Sequence, residues 1–254
     1  MTYCVGLRLN RGLVFMSDTR TNAGIDNIST FRKMKTWESK GERVVTVMSA
    51  GNLATTQSVV SLLDERMKAP AERNSTVFEA PSMFQVARLV GQTLREVIQA
   101  NADTGERADA AFNATMIVGG QIKGSEPRLF LVYPEGNFIE ASQDTPFFQI
   151  GETKYGRPII IRAYDPDMSF EQAIKLLLVS FDSTIKANLS VGAPLDVSVY
   201  ETGSYRKGTH QRVEGDDPYF RTVSNGWGEA LKLAFDSLPD FSFDRQGRCS
   251  VRNG

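Results

Sequence analysis

The pattern of apolar and polar positions predicts that the chain begins with four short strands. Runs rich in β-branched and aromatic residues lie at 2–9, 13–17, 31–37 and 43–49, and such runs are typical of strands. The residues Asn10-Arg11-Gly12 separate the first two runs and favour a hairpin turn. A polar segment, 18–30, joins the second run to the third. We therefore expect no helix before Gly51.

After Gly51 the hydrophobic period becomes helical. Apolar positions three and four residues apart predict helices at 53–67, 81–98, 155–162 and 169–188. Extended runs return between the second and third helices, at 112–121, 128–133, 138–141 and 147–150, and once more at 195–201. This order of elements predicts an α+β fold, a four-layer αββα sandwich with two antiparallel sheets between two helical layers.

The domain organisation follows from the absence of a linker rich in proline or glycine. We expect one continuous domain over 1–202 and a C-terminal appendage over 203–254. An amphipathic segment around Trp227 and Leu231 marks this appendage. Apolar surface that the core leaves over must be buried elsewhere, so the appendage is expected either to pack on the domain or to form a subunit contact.

Charge and composition exclude several classes of protein. The 29 basic and 30 acidic residues give a net charge of −1, so no overall field attracts nucleic acid or an anionic membrane. No apolar stretch approaches the roughly 18 residues of a membrane span, and charge interrupts the N-terminal segment. We therefore expect a cytoplasmic protein. The sequence has no G-x-x-x-x-G-K-[ST] motif, so ATP dependence would have to come from a separate, unknown partner.

Cysteine and histidine counts restrict the chemistry. Cys4 and Cys249 cannot form a disulfide framework or a thiolate metal cluster, and both are expected to be buried packing residues. His210 is the single histidine, which excludes most zinc sites with paired imidazoles. We expect no metal and no cofactor. We also expect that a hydrolase built on this chain does not use a histidine base, and that His210 lies at the surface or at an interface.

Thr2 offers a base that does not need imidazole. It follows Met1, and a residue as small as threonine permits removal of the initiator methionine. The α-amine exposed in this way has a reference pKa of about 8 and belongs to the same residue as the hydroxyl. Nucleophile and general base would then form one unit. Taken alone, Thr2 is an ordinary strand residue. The segments that follow favour its interpretation as a nucleophile.

These segments resemble the proteasome β-subunit family, which includes the bacterial HslV peptidases. The matching segments are 17–24 (SDTRTNAG), 31–35 (FRKMK), 47–52 (VMSAGN), 112–120 and 131–137. Together they extend the similarity over about 2–201. The short leader, the first of these motifs and the long tail look most like the bacterial branch known as Anbu. The resemblance implies an N-terminal nucleophile hydrolase that acts on a peptide or protein substrate. It also implies a homo-oligomer, either a ring or a helical spiral.

The resemblance implies roles for a lysine and an aspartate. Lys33 matches the lysine that activates the threonine hydroxyl, and Asp18 matches the aspartate that holds this lysine. An ammonium beside Thr2 would favour the alkoxide and lower the pKa of the amine. Lys35 is the alternative, either as a substitute for Lys33 or as a charge in the substrate cleft. Lys33 is preferred because Met34 matches the apolar neighbour found in the family.

The resemblance also places the oxyanion hole and the substrate pocket. A backbone N–H of Met48, or of Ser49 under a shift of one residue, would hold the oxyanion. The Met48 side chain is expected to add bulk where the substrate lies. Matching and alternating positions give a substrate pocket lined by Arg20, Thr21, Asn22, Lys35, Thr46 and Ala50.

The chain departs from the family around the amine. Glu152 stands in place of a serine, and Asn188, followed by Ser190, stands in place of an aspartate; Asp182 is the alternative to Asn188. Glu152 and Asn188 are expected to hydrogen-bond the amine, with Ser190 nearby. A carboxylate at 152 should raise the pKa of the amine and shift an activity optimum upward. Two alternatives are a catalytically weak or inactive scaffold that keeps Met1, and a hydrolase of small amides or isopeptide bonds.

Overall fold

The computed structural model describes residues 2–22, 28–68, 76–101, 112–243 and 249–251. The chain divides into two compact units, Met1–Gly215 and Asp216–Gly254. The first unit extends beyond the expected boundary at 202, because the strand His210–Val213 pairs with Leu195–Glu201. Among the described residues, no helix is both long and apolar enough to cross a membrane.

Two five-stranded antiparallel sheets form the centre of the first unit. The first sheet has the order β10-β1-β2-β11-β12 and the second β5-β6-β7-β8-β9. The strands of the first sheet are β1 (Tyr3–Leu9), β2 (Gly12–Asp18), β10 (Phe147–Gly151), β11 (Leu195–Glu201) and β12 (His210–Val213). Those of the second are β5 (Met34–Ser39), β6 (Arg43–Gly51), β7 (Ala114–Ile122), β8 (Arg128–Val132) and β9 (Phe138–Glu140).

Helices cover the outer face of each sheet. The helices α1 (Leu53–Lys68) and α2 (Met83–Asn101) pack on the second sheet, and α3 (Arg157–Ala163) with α4 (Phe170–Ala187) forms the layer on the first. One apolar core lies between α1, α2 and the second sheet and includes Trp37, Val47 and Leu94. Another lies between the sheets and includes Cys4, Phe15 and Met48. These layers confirm the predicted αββα sandwich.

The helix ends follow local sequence signals. Ser169 caps α4 through a hydrogen bond from the Gln172 amide, and the Gln172 side chain accepts from the Ser169 amide in return. This capping box satisfies two N–H groups that would otherwise lack partners. In the second unit, α5 (Pro218–Asp236) begins with Asp217 as its cap and proline in its first turn. The strands β13 (Phe241–Phe243) and β14 (Cys249–Val251) pair with each other.

Two connections add to the predicted order of elements. The polar segment 18–30 is not only a loop, because β3 (Arg20–Asn22) and β4 (Ile28–Thr30) pair as a short hairpin. The strand predicted at 147–150 is β10, which pairs with β1 in the first sheet, whereas the three strands before it belong to the second. Cys4 is buried as expected, whereas the Cys249 side chain lies outside the described residues.

Candidate active site

The N-terminal strand brings Thr2 between the ends of two neighbouring strands. Tyr3, the first residue of β1, pairs with Gly151 at the end of β10, and the next residue pairs with Ser17 of β2. Thr2 therefore lies beside the segments that follow Gly151 and Ser17 along the chain. It opens into a cleft of about 1180 Å³ whose lining also includes Thr21, Lys33, Ser49, Ala50 and Gly51.

An ion pair lies beside Thr2. The Lys33 ammonium donates to Asp18 Oδ1 at 2.7 Å and to the Arg20 carbonyl at 2.6 Å. The same Asp18 oxygen accepts the Tyr3 amide at 2.9 Å. The Asp18 side chain is 0% exposed and that of Lys33 is 6% exposed. Burial raises the pKa of the Asp18 carboxyl, and the Lys33 ammonium and the Tyr3 amide oppose this effect.

Gly151 permits close approach to Thr2. The Glu152 amide donates to the Thr2 carbonyl at 2.7 Å. Gly151 has φ +83°, and a Cβ at this position would lie 1.9 Å from the Thr2 carbonyl oxygen. No other residue fits this conformation and this contact without moving the backbone. Gly151 thus allows Thr2 to lie directly against the end of β10.

The three residues expected around the amine form one hydrogen-bonded chain. The Glu152 side chain is buried, and its Oε2 accepts from the Asn188 side chain at 3.0 Å. Asn188 Oδ1 in turn accepts the Ser190 amide at 3.0 Å. The alternative, Asp182, is paired with Lys186 at 2.8 Å. The structure therefore brings Asn188, and not Asp182, to Glu152.

Tyr3 follows Thr2, and its side chain anchors the start of β1. This role was not identified from the sequence. The Tyr3 hydroxyl contacts Ser180 Oγ at 2.7 Å and accepts from the Gln149 side chain at 2.5 Å. The ring packs on Phe181, with centroids 4.4 Å apart. Burial raises the pKa of Tyr3 to about 12. Nothing in the local sequence distinguishes this tyrosine from an ordinary strand residue.

The backbone at the end of β6 differs from the expected oxyanion hole. The Ser49 amide donates to the Lys33 carbonyl at 3.0 Å, and the Asn52 amide donates to Asn113, the residue before β7. Consecutive amides of a strand point to opposite neighbours. The Met48 amide therefore points toward β7, whereas the amide of Gly51 points to the same side as that of Ser49.

The Met48 side chain does not obstruct the cleft, contrary to expectation. It is 0% exposed and packs between the two sheets. Val47 and Ser49, which alternate with Met48 along β6, line the cleft. Thr46 is not among the lining residues. Its hydroxyl contacts that of Thr36 at 2.9 Å.

The remaining pocket predictions have mixed outcomes. Thr21, Lys35 and Ala50 line the cleft, but Arg20 does not. The Arg20 guanidinium lies over Gly192 and donates to the Leu189 carbonyl at 2.8 Å. It therefore ties β3 to the loop after α4. The Asn22 side chain lies outside the described residues.

Several cleft residues were missed because they come from distant segments. Arg32 precedes Lys33, whereas Lys207 and His210 belong to the segment before and within β12, and all three line the cleft. His210 Nε2 lies 3.3 Å from the Thr36 hydroxyl. Sequence reasoning gave His210 a surface or interface position. No pattern along the chain places β12 beside β5.

Comparison with known proteins gives consistent results. The sequence profile described as Proteasome subunit matches residues 2–200. The proteasome subunit beta 2 of Pyrobaculum calidifontis is 25% identical over 204 residues, covering 80% of this chain and 90% of that protein. The structure of Anbu (ancestral beta-subunit) from Yersinia bercovieri is 50% identical, with a TM-score of 0.87, over 94% of this chain and 99% of that one. The helical assembly of the Anbu complex from Pseudomonas aeruginosa gives 46% identity and a TM-score of 0.87, over 94% and 97%.

Proposed function

This chain belongs to the proteasome subunit family, in its Anbu branch, and from that premise we propose that it hydrolyses amide bonds with Thr2 as the nucleophile, once Met1 is removed. The family supports a threonine peptidase kind of function. The substrate proposed here is a peptide or protein segment that enters the cleft beside Thr2.

The observation that carries this proposal is the shared oxygen of Asp18. One carboxylate oxygen contacts both the Lys33 ammonium and the amide of Tyr3. The ammonium therefore lies one hydrogen-bonded step from the peptide bond that follows Thr2. A cation held there stabilises negative charge on the Thr2 hydroxyl oxygen. Asp18 acts as a positioning residue, because it contacts the lysine and the backbone rather than the substrate.

The reaction balances with the groups at hand. The free α-amine of Thr2 takes the hydroxyl proton, directly or through water, while Oγ bonds to the substrate carbonyl carbon. The protonated amine then gives this proton to the leaving nitrogen, and the C–N bond breaks. Water attacks the acyl ester with the amine again as base. The products are a carboxylic acid and an amine, and Thr2 is regenerated.

The oxyanion requires an amide near the end of β6. The amide of Met48 points to β7, and the Ser49 amide would have to exchange the Lys33 carbonyl for the substrate oxygen. The Gly51 amide points to the same side as that of Ser49, beyond the first residue of β5, and Gly51 lines the cleft. We therefore place the oxyanion hole at the amides of Ser49 and Gly51.

Glu152 supplies a charge that orients the α-amine. Its carboxylate is held by the Asn188 side chain at 3.0 Å and by the Lys154 amide at 3.2 Å. The adjoining Glu152 amide contacts the Thr2 carbonyl. A carboxylate held so close to residue 2 attracts an ammonium there and favours its protonated form.

Self-assembly is the second part of the proposal. The helical assembly of the Pseudomonas aeruginosa relative supports an assembly of this chain with its own copies, as a ring or a spiral. The helix α5 and the segment after it expose apolar side chains, with Leu233 71% and Phe235 74% exposed. Such a surface favours burial against a second copy. Light scattering should show an oligomer, and the variant Leu233→Glu with Phe235→Glu should reduce its mass.

The nucleophile is tested by mass spectrometry and covalent labelling. We expect the intact mass of the purified protein to lack one methionine. A β-lactone should then add to residue 2, with the ester located by peptide mapping. Thr2→Ala should abolish labelling, and Thr2→Ser should retain it because serine keeps a hydroxyl beside the amine. Retention of Met1 in the native host, or equal labelling of Thr2→Ala, would leave only a scaffold.

A further inference from the structure

The charge of the cleft indicates which substrates it takes. Among the residues that the structure describes, its lining contains five cationic side chains and one acidic side chain, Asp196. The cationic residues are Arg32, Lys33, Lys35, Lys207 and Arg212. The overall charge of the chain is −1, so this excess of positive charge is local. The composition of the chain does not account for this excess, and we consider which ligand it would attract.

Three of the five cations are neutralised by neighbouring carboxylates. Lys33 pairs with Asp18 at 2.7 Å, and Lys35 pairs with Asp64 at 2.9 Å. The third pair joins Arg212 Nε to Asp196 Oδ1 at 2.8 Å. Each of these ion pairs contributes no net charge to the cleft. Within the described lining, the net charge therefore comes from the cations that remain.

The side chains of Arg32 and Lys207 remain outside these ion pairs, and the backbone amide of Lys207 donates to Glu38 Oε1 at 2.9 Å. Neither forms a salt bridge within the part of the chain that the structure describes. Both are exposed residues, so neither has paid a large desolvation cost, and both can accept an anionic partner. The two residues come from separate segments, the one before β5 and the one before β12. The fold thus gathers two unpaired positive charges in the cleft that contains Thr2.

From this arrangement we infer that the cleft binds peptide segments that carry carboxylate side chains, in preference to neutral or basic ones. The inference rests on the proposed function for its claim that the ligand is a peptide. A carboxylate near either unpaired cation gains Coulomb attraction, and the low-dielectric walls of a cleft focus the field of such charges. A basic side chain at the same place would be repelled. Arg32 adjoins Lys33 in sequence, so we place the recognised carboxylate near the bond to be cleaved.

The test compares three peptides that differ in one side chain. Each has alanines on both sides of a central Glu, Gln or Lys and carries a neutral fluorophore. Binding is measured by fluorescence anisotropy to Thr2→Ala, which holds the peptide without turnover. We expect the Glu peptide to bind roughly tenfold more tightly than the Gln peptide, and the Lys peptide to bind most weakly. Raising NaCl from about 50 to about 500 mM should remove most of the preference, because salt screens exposed charges.

Variants assign the preference to the two cations. Arg32→Gln with Lys207→Gln should make Glu and Gln peptides bind equally. The matched control is Lys175→Gln, the same change at an exposed residue of α4 outside the cleft lining, and it should retain the preference. Equal binding of Glu and Gln peptides to the parent protein would overturn the inference. Failure of Thr2 as a nucleophile is detected separately, by the absence of labelling, and leaves this binding comparison intact.

Discussion

Two lysines of the cleft form ion pairs of similar length in very different surroundings. Lys33 lies 2.7 Å from Asp18, and their side chains are 6% and 0% exposed. Lys35, two residues later, lies 2.9 Å from Asp64, with side chains 42% and 28% exposed. Distance alone does not distinguish these pairs. Burial does, because removing one partner of a buried pair leaves a charge that water cannot solvate, whereas an exposed pair is screened.

The two lysines separate because β5 begins between them. Lys33 precedes β5, and its ammonium reaches Asp18 and the Arg20 carbonyl. Lys35 lies within β5, and its ammonium reaches α1 through Asp64. The sequence left open which lysine would activate Thr2. Contact with Asp18, which also accepts the Tyr3 amide, supports Lys33 in that role.

The largest effect is expected from Lys33→Met. Loss of the buried ammonium should reduce the rate of β-lactone labelling at Thr2 by about a hundredfold to a thousandfold. The reason is that no cation then stabilises the negative charge that develops on the Thr2 hydroxyl oxygen. The substitution should also lower the free energy of unfolding by about 3–5 kcal/mol, since Asp18 loses its partner. Chemical denaturation and labelling kinetics measure the two effects.

A double variant separates the two effects of Lys33→Met. Adding Asp18→Leu removes the unpaired carboxyl and should restore much of the stability without restoring labelling. The single variant should also be less stable at neutral than at mildly acidic pH. Burial raises the pKa of Asp18, and a pKa raised on folding gives stability that is lost as pH increases. Unchanged labelling in Lys33→Met would contradict its proposed role.

The next largest effect is a shift in the pH profile of Glu152→Gln. The amide keeps the shape of the side chain but removes the charge that favours a protonated amine on Thr2. We expect the rise of the labelling rate with pH to move to lower pH by roughly one unit. Glu135→Gln, the same change at an exposed turn residue, should leave the profile in place. An identical profile for Glu152→Gln would show that the carboxylate does not act on the amine.

Tyr3→Phe tests the anchor of the N-terminal strand. Below pH 10 the variant should lose about 1 kcal/mol of stability, since Ser180 and Gln149 lose a hydrogen-bond partner. Folding raises the pKa of Tyr3 from 10.0 to about 12, so the parent loses stability as pH rises through this interval. The variant lacks this group and should show a smaller alkaline loss. Thermal melts at alkaline pH measure it, and equal losses in both proteins would be inconsistent with a buried, neutral Tyr3.

The smallest effect is expected from Lys35→Met. The pair with Asp64 is partly exposed, so its loss should cost no more than about 0.5 kcal/mol. Labelling of Thr2 should slow by less than about fivefold, because the lysine lines the cleft without contacting Asp18. A loss as large as that of Lys33→Met would assign the activating role to Lys35 instead. The comparison of the two lysines is therefore decided by matched substitutions.

Much of the fold could be predicted from periodicity. The helices α1, α2 and α4 and most strands of the first unit lie close to their predicted positions, because one buried face imposes a period on each element. The short hairpin of β3 and β4 was missed, since six residues with Ile28 as their single apolar position give too little pattern. The hairpin of β1 and β2 was predicted, but the pairing of β1 with β10 was not. These two strands are more than a hundred residues apart in sequence, and pairing at that range is set by the packed layers.

The site was predicted in part, from motifs rather than from periodicity. Matching motifs gave Asp18, Lys33 and Glu152, and the structure brings Glu152, Asn188 and Ser190 into one hydrogen-bonded chain. The position of Met48 away from the cleft could not be predicted, because the residues that pack on its side chain come from distant segments. The sequence could not group Arg32 with Lys207 and His210, because the segment before β5 and the segment around β12 meet only in the folded protein.

The sequence by itself determined the layers of this protein and the chemical types at its candidate site, since period and residue type are properties of the chain taken in order. Only the tertiary structure decided which charges are buried and paired and which remain exposed in the cleft. Burial depends on neighbours from distant segments. The free energy of a charge depends on these neighbours far more than on its position in the sequence.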